Sequence, residues 1–203
     1  MKVWIYSSNS FNCVQQTKIM ELQHPYCKAV QSMDRTDPNV EYHDNEYGFP
    51  IDNDNELFGR LILEINQAGL SWSMILKRKE GFYQGYAEFD ISKVAAFDDG
   101  DIKRLKADKQ VIRNELKIKA AIHNANQIRL LQDEYGSFKS WLDSNHPKLK
   151  EDWVKLFKKT FKFTGNEITG EFLLSTGYLE GAHDRNCPIY SKILKEKPKW
   201  LDM

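Results

Sequence analysis

Two pairs of cysteine and histidine, one near each end of the 203-residue chain, constrain its fold more than any other sequence feature. In the segment GAHDRNC, His183 and Cys187 are four residues apart, a spacing that lets both side chains point the same way. Cys27 and His43 lie near the other end. Two thiols and two imidazoles are the donors of a closed, structural zinc site. If all four bind one ion, the two ends of the chain must meet.

Each of these residues also has a simpler interpretation. A lone histidine such as His43 is more often a hydrogen-bonded core residue, and Cys187 a small buried apolar side chain. No CxxC spacing fixes the first pair. Four further residues are interpreted as non-ligands: Cys13, His24, His123 and His146. The residues alone therefore do not decide whether these four side chains bind a metal.

The hydrophobic pattern is helical along the chain. In NELFGRLILEINQAG the apolar residues recur at the helical period, with Asn55 as the expected N-cap and Gly69 as the terminator. Ser71 is expected to cap the next helix, WSMILKRKEGFYQGY. Further helices are expected at ISKVAAF, GDIKRLKA, VIRNELKIKAAIHNANQIRLLQDEYG, FKSWLD, KEDWVKLFKKT and NEITGEFLLSTG. Because no segment alternates at period two, we predict an all-α fold.

Composition indicates a globular chain that works inside the cell. Hydrophobic residues make up 41% of it, enough for a core, and no segment approaches the ~20 apolar residues of a membrane span. The opening MKVWIYSSNSFNC lacks the apolar run of a signal peptide. We therefore expect a cytoplasmic protein with reduced thiols and no membrane partner.

Charge is balanced overall but unevenly distributed. The 29 basic and 29 acidic residues cancel, yet the stretch from Lys103 to Lys119 holds seven basic residues and two acidic ones. Such a run is usually a solvated helix face, although a local basic face on a neutral protein can also hold a phosphate backbone. Both interpretations stay open on charge alone.

Several separate motifs, in order and spacing, resemble those of the 3-methyladenine DNA glycosylase I family, a divergent branch of the helix-hairpin-helix DNA glycosylases. They are YHDNEYGFP, QAGLSW, VIRN...KI and FKFTGNEITGEFLLSTGYLEGAHDRNCPIY. The resemblance implies a helix-hairpin-helix domain at 27–190, clasped by one structural zinc ion, with an extension at 1–26 and a tail at 191–203. It implies four zinc ligands: Cys27, His43, His183 and Cys187.

The resemblance also implies an activity. Such an enzyme flips 3-methyladenine out of double-stranded alkylated DNA and hydrolyses its N-glycosidic bond, as a monofunctional monomer working in the bacterial nucleoid. Glu64 falls where the family's base-recognising, catalytic glutamate lies, Trp72 at its stacking tryptophan and Tyr42 at a pocket tyrosine. On pattern alone, an exposed ion pair between Arg60 and Glu64 explains the glutamate equally well, and each aromatic is more often core packing.

The segment LKADKQVIRNELKIK lies where the family's hairpin binds the DNA backbone, and Gln110 and Arg113 are the predicted contacts. Two departures from the family stand out. Gln110 replaces the turn glycine of such hairpins, and a second pocket tyrosine expected near Asn39 has no counterpart. They support an alternative, a non-catalytic binder of damaged DNA with the same fold. A zinc-stabilised helical interaction protein is the third hypothesis.

Overall fold

The computed structural model describes residues 22–202. Within that range the chain forms helices and no strands, so the predicted all-α class is confirmed. The α-helices are α1 (Pro25–Gln31), α2 (Pro38–Asn45), α3 (Asp54–Gln67), α4 (Trp72–Leu76), α5 (Lys79–Gly85), α6 (Ile91–Ala95), α7 (Asp99–Ala107), α8 (Glu115–Tyr135), α9 (Phe138–Asn145), α10 (Lys150–Thr160), α11 (Asn166–Ser175) and α12 (Pro188–Lys195). Short 3₁₀ turns lie at Ala87–Phe89 and Lys199–Asp202. A membrane-crossing helix is not found among the described residues.

Helix α3 is the centre of the fold. Every residue from Leu57 to Asn66 is buried, because α4, α5, α6, α8, α9 and α11 all pack against this helix. A helix that is enclosed on every side is expected to be apolar all round. Arg60 and Glu64 are therefore two charged side chains in an apolar position, and they mark the part of the molecule that needs a functional explanation.

The start of α3 differs from the predicted one. Asn53, not Asn55, is the N-cap, and its side chain accepts hydrogen bonds from the first amides of the helix. The side chain of Asn55 instead accepts from the amide of Ile91, at the start of α6. Gly69 follows the end of α3 at φ 83°, as its predicted role as terminator requires.

The helix predicted over WSMILKRKEGFYQGY is in fact two helices. Ser71 caps α4 as predicted, but Arg78 leaves the helical conformation at φ −110° and ψ 7°, and α5 begins after it. The break falls in a polar segment without glycine or proline, so no sequence signal marks it. Similarly, α8 begins at Glu115 and not at Val111, because the side chain of Asn114 caps it.

The two ends of the described chain meet, as the four candidate ligands require. The carboxylate of Asp184 accepts hydrogen bonds from the backbone amides of Gln23 and His24. A small apolar cluster surrounds the junction: Leu22, Cys27, Cys187, Ile189 and Ile193. The predicted domain extents stay a prediction, and their limits at 26/27 and 190/191 fall within α1 and α12. Residues 1–21 of the predicted extension lie outside the described residues.

Candidate active site and metal centre

A cavity of about 780 Å³ lies where α1, α2, α3, α4 and α11 come together. Four aromatic side chains line it: Tyr26, Tyr42, Tyr47 and Trp72. The ring centroids of Tyr42 and Trp72 are 5.0 Å apart, and those of Tyr26 and Tyr47 are 5.5 Å apart. The planes of the first pair meet at 56° and those of the second at 85°, so ring faces and ring edges both line the cavity. Such an aromatic lining suits a flat ligand, above all a cationic one.

Glu64 is the buried carboxylate of this cavity. Its side chain is 4% exposed and lines the cavity from α3. No hydrogen-bond donor from residues 22–202 reaches its oxygens. Burial raises the pKa of this carboxyl to about 8, the nearby Glu171 adds to the rise and Arg60 opposes it. Burial therefore disfavours the ionised form of Glu64. The oxygens of this carboxyl group remain free to accept hydrogen bonds from the cavity.

Arg60 lies behind the pocket and not on the surface. Its guanidinium donates to the Tyr42 hydroxyl at 2.8 Å and to the Ser175 carbonyl at 3.3 Å, and it pairs with Glu46 at 3.2 Å. The guanidinium carbon also stands 4.8 Å from the centroid of the Tyr42 ring. The hypothesis of an exposed Arg60–Glu64 ion pair is wrong, because packing on all sides of α3 buries both residues.

Several residues of the cavity were not predicted from the sequence. Tyr26, Tyr47 and Glu171 all line it, as does the half-buried His24. A signal for Tyr26 existed: it directly precedes Cys27, as Tyr42 precedes the next candidate ligand. The expected tyrosine near Asn39 is absent, but Tyr26 donates its hydroxyl to the carbonyl of Asn39 at 3.0 Å. The cavity therefore has three tyrosines despite this departure.

The four candidate metal ligands converge. The side-chain donor atoms of Cys27, His43, His183 and Cys187 all lie within 4.8 Å of one another, and all four residues are buried. Sulfur-to-nitrogen distances run from 3.4 Å, between His43 and Cys27, to 3.8 Å, between Cys187 and His43. A tetrahedral zinc ion with two thiolates and two imidazoles gives sulfur-to-nitrogen edges of about 3.6 Å. The donor set thus has the composition and the size of a closed zinc site.

The second ring nitrogens of the two histidines are also held. Nδ1 of His43 lies 2.7 Å from the carboxylate of Asp44, and Nε2 of His183 lies 2.8 Å from the carbonyl oxygen of Tyr47. Such partners orient an imidazole so that its other nitrogen points at a metal. The third thiol of the chain, Cys13, lies outside the described residues, so its interpretation as a non-ligand stays a prediction.

The hairpin between α7 and α8 accommodates a side chain where glycine is usual. Gln110 does not adopt a positive φ, and its backbone amide donates to the carboxylate of Asp108 at 2.8 Å. Its side chain packs against Gly81 of α5. A Cβ at position 81 would lie 2.4 Å from the Cβ of Gln110 and 2.9 Å from its carbonyl oxygen. Gly81 therefore makes room for Gln110, and the turn keeps its place against α5.

Three of the seven basic residues from Lys103 to Lys119 form ion pairs. Lys106 and Lys119 both pair with Glu115, which lowers the pKa of that carboxyl to about 2. Arg104 pairs with Asp101 at 2.9 Å. Three exposed cations of this stretch have no ion pair within the described part of the chain: Lys103, Lys109 and Arg113. These three are therefore the unpaired cations that a phosphate backbone could contact, and the solvated face and the phosphate-binding face both stay predictions.

Lys117 has a different role from its neighbours in sequence. Its side chain is buried, and its ammonium donates to the carbonyl oxygens of Asn66 and Ala68, at 3.0 and 2.9 Å. These carbonyls end α3, where a cation is favourable. Because Ala68 lines the cavity, Lys117 joins the helix after the hairpin to the rim of the pocket.

Comparisons with known proteins agree with this geometry. The family described as methyladenine glycosylase matches residues 32–153, more than half of the chain. The DNA-3-methyladenine glycosylase 1 of Escherichia coli K12 is 33% identical over an alignment of 170 residues, and the match covers 74% of this chain and 90% of that protein. A solved tyrosine-to-phenylalanine variant of 3-methyladenine DNA glycosylase I, in complex with 3-methyladenine, is 28% identical with a TM-score of 0.71, covering 77% of this chain and 94% of its own. The 3-methyladenine DNA glycosylase I of Staphylococcus aureus is 29% identical with a TM-score of 0.70, over 77% and 93% of the two chains.

The raised pKa of Glu64 predicts a pH-dependent gain in stability for Glu64→Gln. The pKa of the folded protein, about 8, exceeds the ordinary 4.5, so the native state resists ionisation. Below a pH of about 4.5, Glu64 is neutral in both the folded and the unfolded protein, and it does not reduce the stability of the fold. This stability is lost as the pH rises through 8, because the buried carboxyl must then ionise. Above that pH the variant should be more stable by ~2–4 kcal/mol, and at low pH by nearly nothing.

Urea unfolding of both proteins across this pH range measures the effect. Glu56→Gln is the matched control, since Glu56 lies exposed on the same helix and its change should be below ~0.5 kcal/mol throughout. A difference between wild type and Glu64→Gln that does not vary with pH would contradict the buried, ionisable carboxylate.

Proposed function

The chain belongs to the methyladenine glycosylase family, and from that premise we propose that it is a DNA repair enzyme that hydrolyses the N-glycosidic bond of 3-methyladenine in alkylated DNA. The observation that carries the proposal is Glu64, a buried carboxylate without a hydrogen-bond donor from the described residues, in a cavity walled by aromatic rings. A flat base with N–H groups and a positive charge supplies both of the interactions that this carboxylate lacks.

The chemistry of the substrate fits the composition of the pocket. Methylation at N3 gives adenine in DNA a positive charge and weakens its bond to the sugar. The rings of Tyr42 and Trp72 bind the cation by its face, and Glu64 accepts hydrogen bonds from its edge. Because the leaving group is already charged, little acid catalysis is needed. Glu64 acts by selecting the base and by stabilising the positive charge that develops on the sugar.

The site also suits a base that has left the double helix. A base stacked in duplex DNA cannot reach a carboxylate that is 4% exposed, so the nucleotide must be turned out into the cavity. A methylated base that stacks and pairs poorly is extruded at a lower free-energy cost than a normal one. We propose double-stranded DNA as the partner, a monomer as the acting form, and the nucleoid inside the cell as the place of work.

The proposed products are the free base and an abasic site, without strand cleavage. None of the described residues that line the cavity is a lysine, the group that would form a Schiff base with the sugar. Asp133 and Glu134 lie exposed near the end of α8, away from the lining residues. Water is therefore the proposed nucleophile.

We further propose that the buried cysteines and histidines hold one structural zinc ion. The fit of their spacing to a tetrahedron and the hydrogen bonds to both second ring nitrogens support this assignment. With four protein ligands the ion has no open position, so it would stabilise the junction of the chain ends and take no part in the chemistry.

Backbone contact to DNA is assigned to the hairpin between α7 and α8. Arg113, exposed and without an ion pair among the described residues, is the proposed cation, and Gln110 occupies the turn. Because the backbone amide of Gln110 already donates to Asp108, it cannot also donate to a phosphate in this conformation. This observation favours a weaker grip on DNA, and it keeps the non-catalytic binder as the alternative.

Base release tests the proposed activity. Wild-type protein incubated with N-methylated duplex DNA should release 3-methyladenine, measured by chromatography alongside 7-methylguanine. Glu64→Gln keeps the shape of the side chain but removes its charge, and excision should fall by ~100-fold or more. Glu56→Gln on the exposed turn of α3 is the control and should retain full activity. A folded protein that binds DNA but releases no base would establish the binder instead.

Metal analysis tests the zinc site. Purified wild-type protein should carry one equivalent of zinc. Cys187→Ala removes one of four ligands, so it should lose the metal, and its melting temperature should fall by ~10 °C or more. Cys13→Ala is the control. It should keep both the bound zinc and the melting temperature of the wild type, since Cys13 is not a predicted ligand. A full equivalent of zinc in Cys187→Ala would rule out the assigned ligand set.

Salt-dependent binding tests the hairpin. Arg113→Ala should weaken binding to all duplex sequences alike and lower the slope of log affinity against log salt by about one. Lys155→Ala is the control, because Lys155 is an exposed cation on α10 that pairs with Asp152 at 2.9 Å. If the two variants lower the slope equally, the contact is not specific to the hairpin.

A further inference from the structure

Two carboxylates besides Glu64 line the base pocket, the half-buried Glu171 and the exposed Glu167, and the proposed reaction uses neither. Glu171 lies in α11, the helix that packs against α3, and lines the same cavity as Glu64. The hydroxyl of Tyr47 donates to Glu171 Oε2 at 3.2 Å. Tyr47 thus holds the carboxylate of Glu171 at one wall of the pocket, and the carboxylate still borders the cavity.

None of the described residues that line the cavity is a lysine or an arginine. Lys150 lies near Glu171 outside this lining, and its charge opposes the burial that raises the pKa of Glu171 without cancelling it. Burial raises the pKa of Glu171, and the charge of Glu171 in turn contributes to the raised pKa of Glu64. Arg60, the buried guanidinium near them within residues 22–202, is already paired with Glu46 and bonded to Tyr42. Two carboxylates that share one cavity repel each other when both are ionised, unless a cation lies between them.

A cationic base relieves this repulsion, whereas a neutral base of the same shape does not. A single acceptor is enough to hydrogen-bond the edge of a purine, so the second carboxylate adds little for a neutral ligand. We propose that Glu171, held by Tyr47, is a specificity-determining residue that selects purines carrying a positive charge over neutral purines of equal size. This inference rests on the proposed function, since it concerns the same pocket.

Two small ligands separate charge from shape. The probe is 3,9-dimethyladeninium, which carries the charge of a 3-methylated base still attached to a carbon substituent. Its partner is 3,9-dimethyl-3-deazaadenine, in which carbon replaces the charged nitrogen, measured at a pH where it is neutral. Equilibrium dissociation constants of both, from calorimetry on the full chain, give a cation-over-neutral ratio for each variant.

Glu171→Gln should lower the affinity for the cation by ~10-fold and change that for the neutral partner by less than ~2-fold. Glu151→Gln is the matched control: it removes the same charge from an exposed position on α10, outside the cavity, and should leave the ratio unchanged. Tyr47→Phe removes the hydrogen bond to Glu171 without removing a charge. It should lower the ratio in the same direction by a smaller factor.

If Glu171→Gln lowers the affinity for both ligands equally, the residue shapes the pocket and does not select charge, which overturns the inference. A cation-over-neutral ratio in this variant equal to that of the wild type also overturns it. If Glu171→Gln does not fold, as judged by its melting curve, Tyr47→Phe decides, and an unchanged ratio there counts against the proposal.

The base-release assay keeps this inference distinct from the proposed function. Wild-type protein that excises 3-methyladenine, with an unchanged ratio in Glu171→Gln, leaves the function standing and the inference wrong. Wild-type protein that releases no base, with a lowered ratio in Glu171→Gln, refutes the enzyme and retains a pocket that selects cations.

Discussion

The convergence of two thiols and two imidazoles at the junction of the chain ends positions the aromatic wall of the cavity. Two of the three pocket tyrosines directly precede a candidate ligand in the sequence, and the carbonyl of the third, Tyr47, lies within hydrogen-bond distance of His183. Each tyrosine is therefore one peptide bond or one hydrogen bond away from the cluster. The junction is more than a clasp for the chain ends, because the shape of the pocket depends on it.

The central helix combines the needs of folding and of chemistry at one place. Burial of Glu64 opposes folding, since its ionised form loses hydration and gains no donor from the described residues. The same burial excludes water from the carboxylate and strengthens its attraction for a cation. Arg60 moderates the penalty from behind the ring of Tyr42, where its own charge is satisfied by Glu46. The site is thus stable enough to form yet incomplete without a ligand.

Local patterns predicted the helices, and chemistry predicted the set of candidate ligands. Neither could settle Glu64, because the apolar stripe of α3 identifies one buried face, whereas burial on all sides is decided by six other helices, of which α6, α8, α9 and α11 are distant in the sequence. Tyr47 and Glu171 were missed for the same reason: they share a cavity only through the packing of α11. The break between α4 and α5 was hidden because its residues carry no turn signal. Contacts between remote segments were the information that the sequence lacked.

The close approach of Gln110 to Gly81 leaves no room for a side chain at position 81. A Cβ there would lie 2.4 Å from the Cβ of Gln110 and 2.9 Å from its backbone carbonyl oxygen. Because the second contact is with the backbone, a smaller residue at position 110 would not relieve it. The turn of the hairpin and helix α5 therefore pack as one unit, and a displacement of either one requires the other to move.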